Sequence, residues 1–166
     1  MKHLTVLDAE IAARCEATCD AKPDWPCRAG CDDCCRSLAA VPVVSPPEWE
    51  RLRDAVRALT PSERAEVARA FDERRARGEA RPIVCPLLGE RGLCRVYGAR
   101  PLACRSYGFY ADHEGVLGCG RIHTRADDAE VLWGNHEALL RSAASLGDAR
   151  SLLAWAEEDL DLFTRQ

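Results

Sequence analysis

Ten cysteines in a chain of 166 residues limit what it can fold into more than any other feature. They are Cys15, Cys19, Cys27, Cys31, Cys34, Cys35, Cys85, Cys94, Cys104 and Cys119. Cys27, Cys31, Cys34 and Cys35 fall within nine residues, beside Arg28, Asp32, Asp33 and Arg36, whereas core thiols would be scattered through apolar runs. An even count permits a disulfide framework, but only in an oxidising compartment. Asp8 and Glu10 interrupt the apolar run that an export signal needs, so a cytoplasmic protein with reduced thiols is expected. Metal ligation is then the favoured use of the cysteines.

The length suits one domain spanning 1–166, with no need for a second core. Hydrophobic content of 47% and charged content of 30% describe an ordinary globule and argue against a disordered tail. A net charge of −4 gives no global basic field, so no nucleic-acid partner is expected. Nor does any stretch approach the roughly 20 apolar residues of a membrane span, so no membrane partner is expected either.

The pattern along the chain predicts a mainly α fold with one small β-hairpin. Leu4, Leu7, Ile11, Cys15 and Cys19 recur at helical spacing over 4–19. Pro23, Pro26 and Gly30 break the next segment into a loop that carries the dense cysteine run. Ser45-Pro-Pro-Glu48 and Thr60-Pro-Ser-Glu63 have capping-box spacing and open two further helices. The first of these buries Trp49, Leu52, Val56 and Leu59; the second has chiefly Val67 and Phe71, and should lie on the surface until Gly78 closes it. A hairpin over 83–88 and 93–97 would place Leu88 opposite Leu93. Two last helices are expected, over about 127–146 with Leu132, Leu139, Leu140 and Ala143 inward, and about 149–163 with Leu152, Leu153, Ala156, Leu160 and Phe163 inward.

The chemistry sits in two cysteine groups separated by this helical insert. In the first, Gly30 lets the loop fold back so that several thiolates face one centre. The adjacent pair Cys34-Cys35 is poorly shaped to share one ion, because neighbouring side chains diverge. In the second group the gaps between Cys85, Cys94, Cys104 and Cys119 are too long for a self-contained zinc knuckle. A site drawing on both groups is therefore expected, polynuclear or double, with iron–sulfur slightly favoured over zinc.

The dense run followed by Cys85-Pro-Leu-Leu, then Cys94-Arg-Val-Tyr97, Arg100-Pro-Leu-Ala-Cys104-Arg105-Ser-Tyr107 and Cys119, resembles the YkgJ-type cysteine-cluster family. The likeness spans about 27–119. One departure is the first gap, which holds Arg28, Ala29 and Gly30 where the family has two residues. The resemblance implies a zinc- or iron-chelating domain, often iron–sulfur, with Cys27, Cys31, Cys34, Cys35, Cys85, Cys94, Cys104 and Cys119 as ligands. Relatives that carry the domain within flagellin lysine methylases imply an alternative, a cluster-dependent redox or methyl-transfer enzyme. Cys27-x3-Cys31-x2-Cys34 also matches the spacing of radical-SAM enzymes, but Asp33 stands where they usually place an aromatic. The strand–helix alternation of a β/α barrel is missing as well.

Arg100 and Arg105 flank Cys104, where guanidinium groups would offset thiolate charge and donate to sulfur. Cys15 and Cys19 share a helix face with Leu7 and Ile11, which favours packing over ligation. His113 reads as a solvated loop histidine, and Tyr97, Tyr107 and Tyr110 as packing over the site. No nucleophile–base pair or carboxylate dyad supports an enzyme. A protein that holds its metal for electron transfer or metal handling, with a redox or metal-receiving protein partner, is the leading expectation.

Overall fold

The structure, a computed structural model, describes residues 3–78, 80–159 and 161–163. In chain order the elements are α1 (Leu4–Ala21), α2 (Asp33–Arg36), β1 (Val43–Val44), α3 (Pro46–Arg57), α4 (Pro61–Arg77), α5 (Leu102–Ser106), β2 (Tyr110–Asp112), β3 (Gly115–Val116), α6 (Gly120–His123), β4 (Gly134–Asn135), α7 (His136–Ala143), β5 (Arg150–Ser151) and α8 (Leu152–Glu158). Single 3-10 turns occupy Tyr97–Ala99 and Ala144–Leu146. The mainly α expectation holds.

Both predicted capping boxes form. Ser45 and Glu48 satisfy each other's end of α3, and Thr60 and Glu63 do the same for α4, each followed by proline in the first turn. Trp49, Leu52 and Val56 are buried as the helical spacing requires, with Leu59 packed beside them. On α4 the buried residues Arg64, Val67, Phe71 and Arg74 make one stripe, and both arginines donate terminal N–H groups to backbone carbonyls.

The strands are short. β1 and β5 pair antiparallel, while β2 lies between antiparallel β3 and parallel β4. The hairpin of the fold is thus β2–β3. Over 83–97 the expected hairpin is reduced to an isolated bridge between Leu88 and Cys94, one residue out of the anticipated register. The turn explains the shift: Gly89 N–H donates to Leu93 O at 2.8 Å and Arg95 N–H to Leu87 O at 3.0 Å, so Leu93 sits inside the turn.

The last two helices are shorter than the periodicity predicts. Residues 127–135 do not join α7, because Gly134 and Asn135 form β4 against Tyr110 and Ala111, and Asn135 then caps the helix by accepting from Ala138 N at 2.8 Å. Leu132 and Leu140, expected inside, are 78% and 55% exposed; Leu139 is buried. Strand β5 takes the residues before α8, whose cap Ser151 accepts from Ala154 N at 3.1 Å. Leu152 and Ala156 are buried as expected, Leu153 and Phe163 pack partly, and Leu160 lies outside the described residues.

Where length alone suggests one core, the buried side chains among the described residues form two clusters. One gathers Trp49, Leu52, Val56, Val67, Phe71, Leu87, Val96 and Leu152 from α3, α4, the 83–97 segment and α8. The other gathers Leu7, Ile11, Trp25, Phe109, Tyr110, Ile122 and Leu139 around α1. Cys35, Cys85 and Cys94 belong to the first, and Cys15, Cys19, Cys27 and Cys119 to the second.

Glu48 ties α3 to α5. Its carboxylate is buried and accepts from Ser45 N at 2.8 Å, from Ser45 Oγ at 2.6 Å and, across 54 residues, from Leu102 N at 2.8 Å. All three donors are served only by an acceptor on both oxygens. Glu48→Gln turns an amide N–H2 toward one of them, and should lower stability by about 1.5–3 kcal/mol, the range for hydrogen bonds to a charged group. A urea titration showing an unchanged midpoint would contradict this.

Candidate metal centre

The backbone first brings the two cysteine groups together. A turn at Gly30, whose φ is +90°, lets Cys31 N–H donate to Arg28 O at 3.0 Å and returns the chain toward α2. Cys34 and Cys35 then lie side by side on that single turn of helix. Cys85 N–H donates to Cys35 O at 2.8 Å, and Leu38 N–H to Ile83 O at 2.9 Å, closing the helical insert. Cys104 rides on α5, which Glu48 holds by its first N–H. Cys119 caps α6, and Tyr107 O–H donates to Gly118 O at 2.8 Å beside it.

Two cavities open along the seam. The larger, about 340 Å³, is lined by Cys15, Cys19, Cys27, Cys31, Cys34, Cys104 and Cys119. The smaller, about 60 Å³, is lined by Cys31, Cys34, Cys35, Cys85, Cys94 and Cys104. All eight predicted ligands therefore face one cavity or the other, and both cavities draw on both sequence groups. Cys31, Cys34 and Cys104, with Tyr97 and Arg100, line both. Every cysteine is a free thiol.

Residues 26–132, well over half the chain, match the family CxxCxxCC, described as a "Putative zinc- or iron-chelating domain". The chain belongs to this family. No curated protein and no solved structure matches the chain. The family match takes in every cysteine from Cys27 to Cys119 and leaves Cys15 and Cys19, on α1, outside it.

The donors suit such a domain in kind and number, since soft thiols select zinc and iron–sulfur groups. Gly108 supplies a further sign of fit. Its φ is +88°, and a Cβ there would collide with Cys27 Sγ, so only glycine leaves room for that sulfur at the wall of the larger cavity. Among the described residues, however, no three Cys, His, Asp or Glu side chains are already grouped to hold an ion. The thiols border a space; they do not meet at a point.

Protonation follows from this crowding. Burial, and then the thiols of Cys119, Cys31, Cys34 and Cys15, push Cys27 up to about 12. Burial, followed by Cys35, Cys34 and Cys94, does the same to Cys104, against the lowering pull of Arg100. Cys34 is raised by its hydrogen bond with Cys35 and by burial. Cys35 is lowered by that bond, yet its bond with Cys85 and its burial carry it to about 12. Burial also raises Cys94.

Arg100 stacks on Tyr97 at 3.6 Å from the ring centroid and acts on Cys15, Cys94 and Cys104 through its charge. Arg105 commits its guanidinium to Arg100 O at 2.8 Å, Asp8 at 3.3 Å and Gly98 O, clasping α5 to α1, and it also lines the larger cavity, where its charge pulls Cys15 down against burial. His113, on the exposed β2–β3 turn, lies 3.0 Å from Glu137 and lines neither cavity. The sequence reading missed the place of Cys15 and Cys19 on the larger cavity. Its only available signal, the i, i+4 spacing, serves packing equally well.

Two outcomes are expected. Gly108→Ala should displace Cys27 Sγ and lower the amount of zinc or iron retained after purification, measured by metal analysis against the parent chain. In the metal-free reduced chain, Cys27 and Cys104 stay protonated above the ordinary thiol value of about 9. The native state then binds more protons than the unfolded state at alkaline pH, so the stability these thiols contribute is present below pH 9 and lost as pH rises toward about 12. Urea midpoints that hold steady from pH 8.5 to 11.5 would contradict this.

Proposed function

We propose that this is a metal–thiolate protein in which Cys27, Cys31, Cys34, Cys35, Cys85, Cys94, Cys104 and Cys119 hold an iron–sulfur cluster or zinc. The observation that carries the reading is that each cavity wall combines cysteines from both sequence groups. A group bound there would be shared by the two apolar clusters and join them. Thiols bordering about 340 Å³ without converging on a point suit something larger than one ion, which favours a cluster or more than one metal. When bound, an iron–sulfur cluster supplies one-electron transfer and zinc supplies a structural cross-link.

The chain's own residues have distinct parts in this. The cysteines bind, Gly108 makes room for Cys27, and Arg100 offsets thiolate charge beside Cys104. Electron transfer or metal handling in the cytoplasm, with a redox or metal-receiving protein partner, is the function in view. Arg100 and Tyr97 on the wall common to both cavities support a second reading, a cluster-dependent enzyme of redox or methyl-transfer type, because a small anionic substrate would find both a cation and a hydroxyl next to the thiolates.

Anaerobic purification with metal and sulfide analysis and a visible spectrum tests the proposal. More than one metal per chain is expected, with thiolate charge-transfer bands. One zinc per chain, with four of the eight cysteines freely alkylated under native conditions, would overturn it. Ligation should also be coupled to folding, since it closes the loop formed by the helical insert. Anaerobic chelation is expected to broaden or abolish the cooperative thermal transition, and an identical melt with and without metal would refute that coupling.

A further inference from the structure

Helix α1 lies outside the residues that match the family, yet it contributes two thiols to the larger cavity. At about 100° per residue, the buried residues Leu7, Ile11 and Thr18 fall within about 40° of one another around the helix. Cys15 is rotated about 40° beyond that stripe and Cys19 about 40° further. Both are half-buried and stand on the shoulder of the helix that borders the cavity, with α1 packed on α5.

The position of α1 is fixed at several points. Asp8 pairs with Arg51 and Arg105, Arg14 donates to Leu132 O, and Cys15 Sγ–H donates to Arg105 O at 3.7 Å. That last contact places Cys15 beside the residue next to Cys104. Cys15 lies in electrostatic reach of both Cys19 and Cys27, which line the same cavity.

We propose that Cys15 and Cys19 are thiolate ligands, acting with Cys27 in the larger cavity on a thiophilic cation such as zinc or iron. The ligand set of this chain is then ten cysteines, two more than the family pattern supplies. The inference rests on the metal–thiolate reading above and extends it to a helix which that reading does not use.

Anaerobic cobalt(II) titration of the reduced chain provides the test, because sulfur-to-cobalt charge transfer reports each Co–S bond. In Cys15→Ser/Cys19→Ser the charge-transfer absorbance at saturation should fall by about a fifth or more, the share of two thiolates among ten. Cys15→Ser alone should give a smaller loss, with an unchanged far-ultraviolet circular dichroism spectrum. In the unmutated chain, zinc loading should slow alkylation of Cys15 and Cys19, mapped by mass spectrometry, by about tenfold or more, which decides the matter if the double variant fails to fold. Parental charge transfer in the double variant, or alkylation of these two unaffected by zinc while Cys27 and Cys85 are protected, would overturn the inference and leave the metal–thiolate reading intact. No thiolate charge transfer in the parent chain would overturn both.

Discussion

The adjacent pair Cys34-Cys35, on one turn of helix at the seam between two apolar clusters, is the constraint around which the rest is arranged. Neighbouring side chains leave a helix about 100° apart, yet the two thiols hydrogen-bond to each other and both line the smaller cavity. Cys35 packs with the cluster of α3, α4 and α8, and its carbonyl receives Cys85 N–H. Cys34 lines both cavities, toward Cys27 on one side and Cys104 on the other. The pair therefore links the two cysteine neighbourhoods. Burial and crowding raise the proton affinity of Cys27, Cys34, Cys35, Cys94 and Cys104, a cost that bound cations would relieve by taking the protons' place.

The helical frame was legible in the sequence wherever a local signal was strong. Ser45-x-x-Glu48 and Thr60-x-x-Glu63 fixed two helix starts because both partners of a capping box lie within one turn. The mixing of the two cysteine groups was legible from the long gaps in the second group, whereas the expected divergence of Cys34 and Cys35 is not what the structure has: their thiols hydrogen-bond to each other and share the smaller cavity. What stayed hidden depends on partners distant in sequence. Nothing near Gly134 announces that Tyr110 will pair with it, so periodicity carried the helix too far back. The second oxygen of Glu48 is spoken for by Leu102, 54 residues away, and no capping rule contains that. On α1, one amphipathic stripe and its shoulder are too close in angle for spacing alone to separate a packed thiol from one that borders a cavity.

Arginine does much of the positioning at the seam, and mostly through carbonyls. Arg51 and Arg105 both donate to Arg100 O, and both pair with Asp8 of α1. Arg100 is left to stack on Tyr97 with its charge turned toward the thiols. Arg51 thus braces, Arg105 braces and also lines the larger cavity, and Arg100 lines both cavities.

The helical insert has a consequence for how the chain is made. Fifty positions separate Cys35 from Cys85. At about 5–20 residues per second, synthesis leaves the first cysteine group without any thiol of the second group for at least roughly 2.5–10 seconds. During that interval Cys27, Cys31, Cys34 and Cys35 form a nascent thiol patch open to whichever soft metal or oxidant reaches it first. The closing bond from Cys85 to Cys35 comes only after α3 and α4 have been made. The order of the elements thus sets a period of exposure to mismetallation on the ribosome, whose length depends on the size of the insert and not on the strength of the finished site.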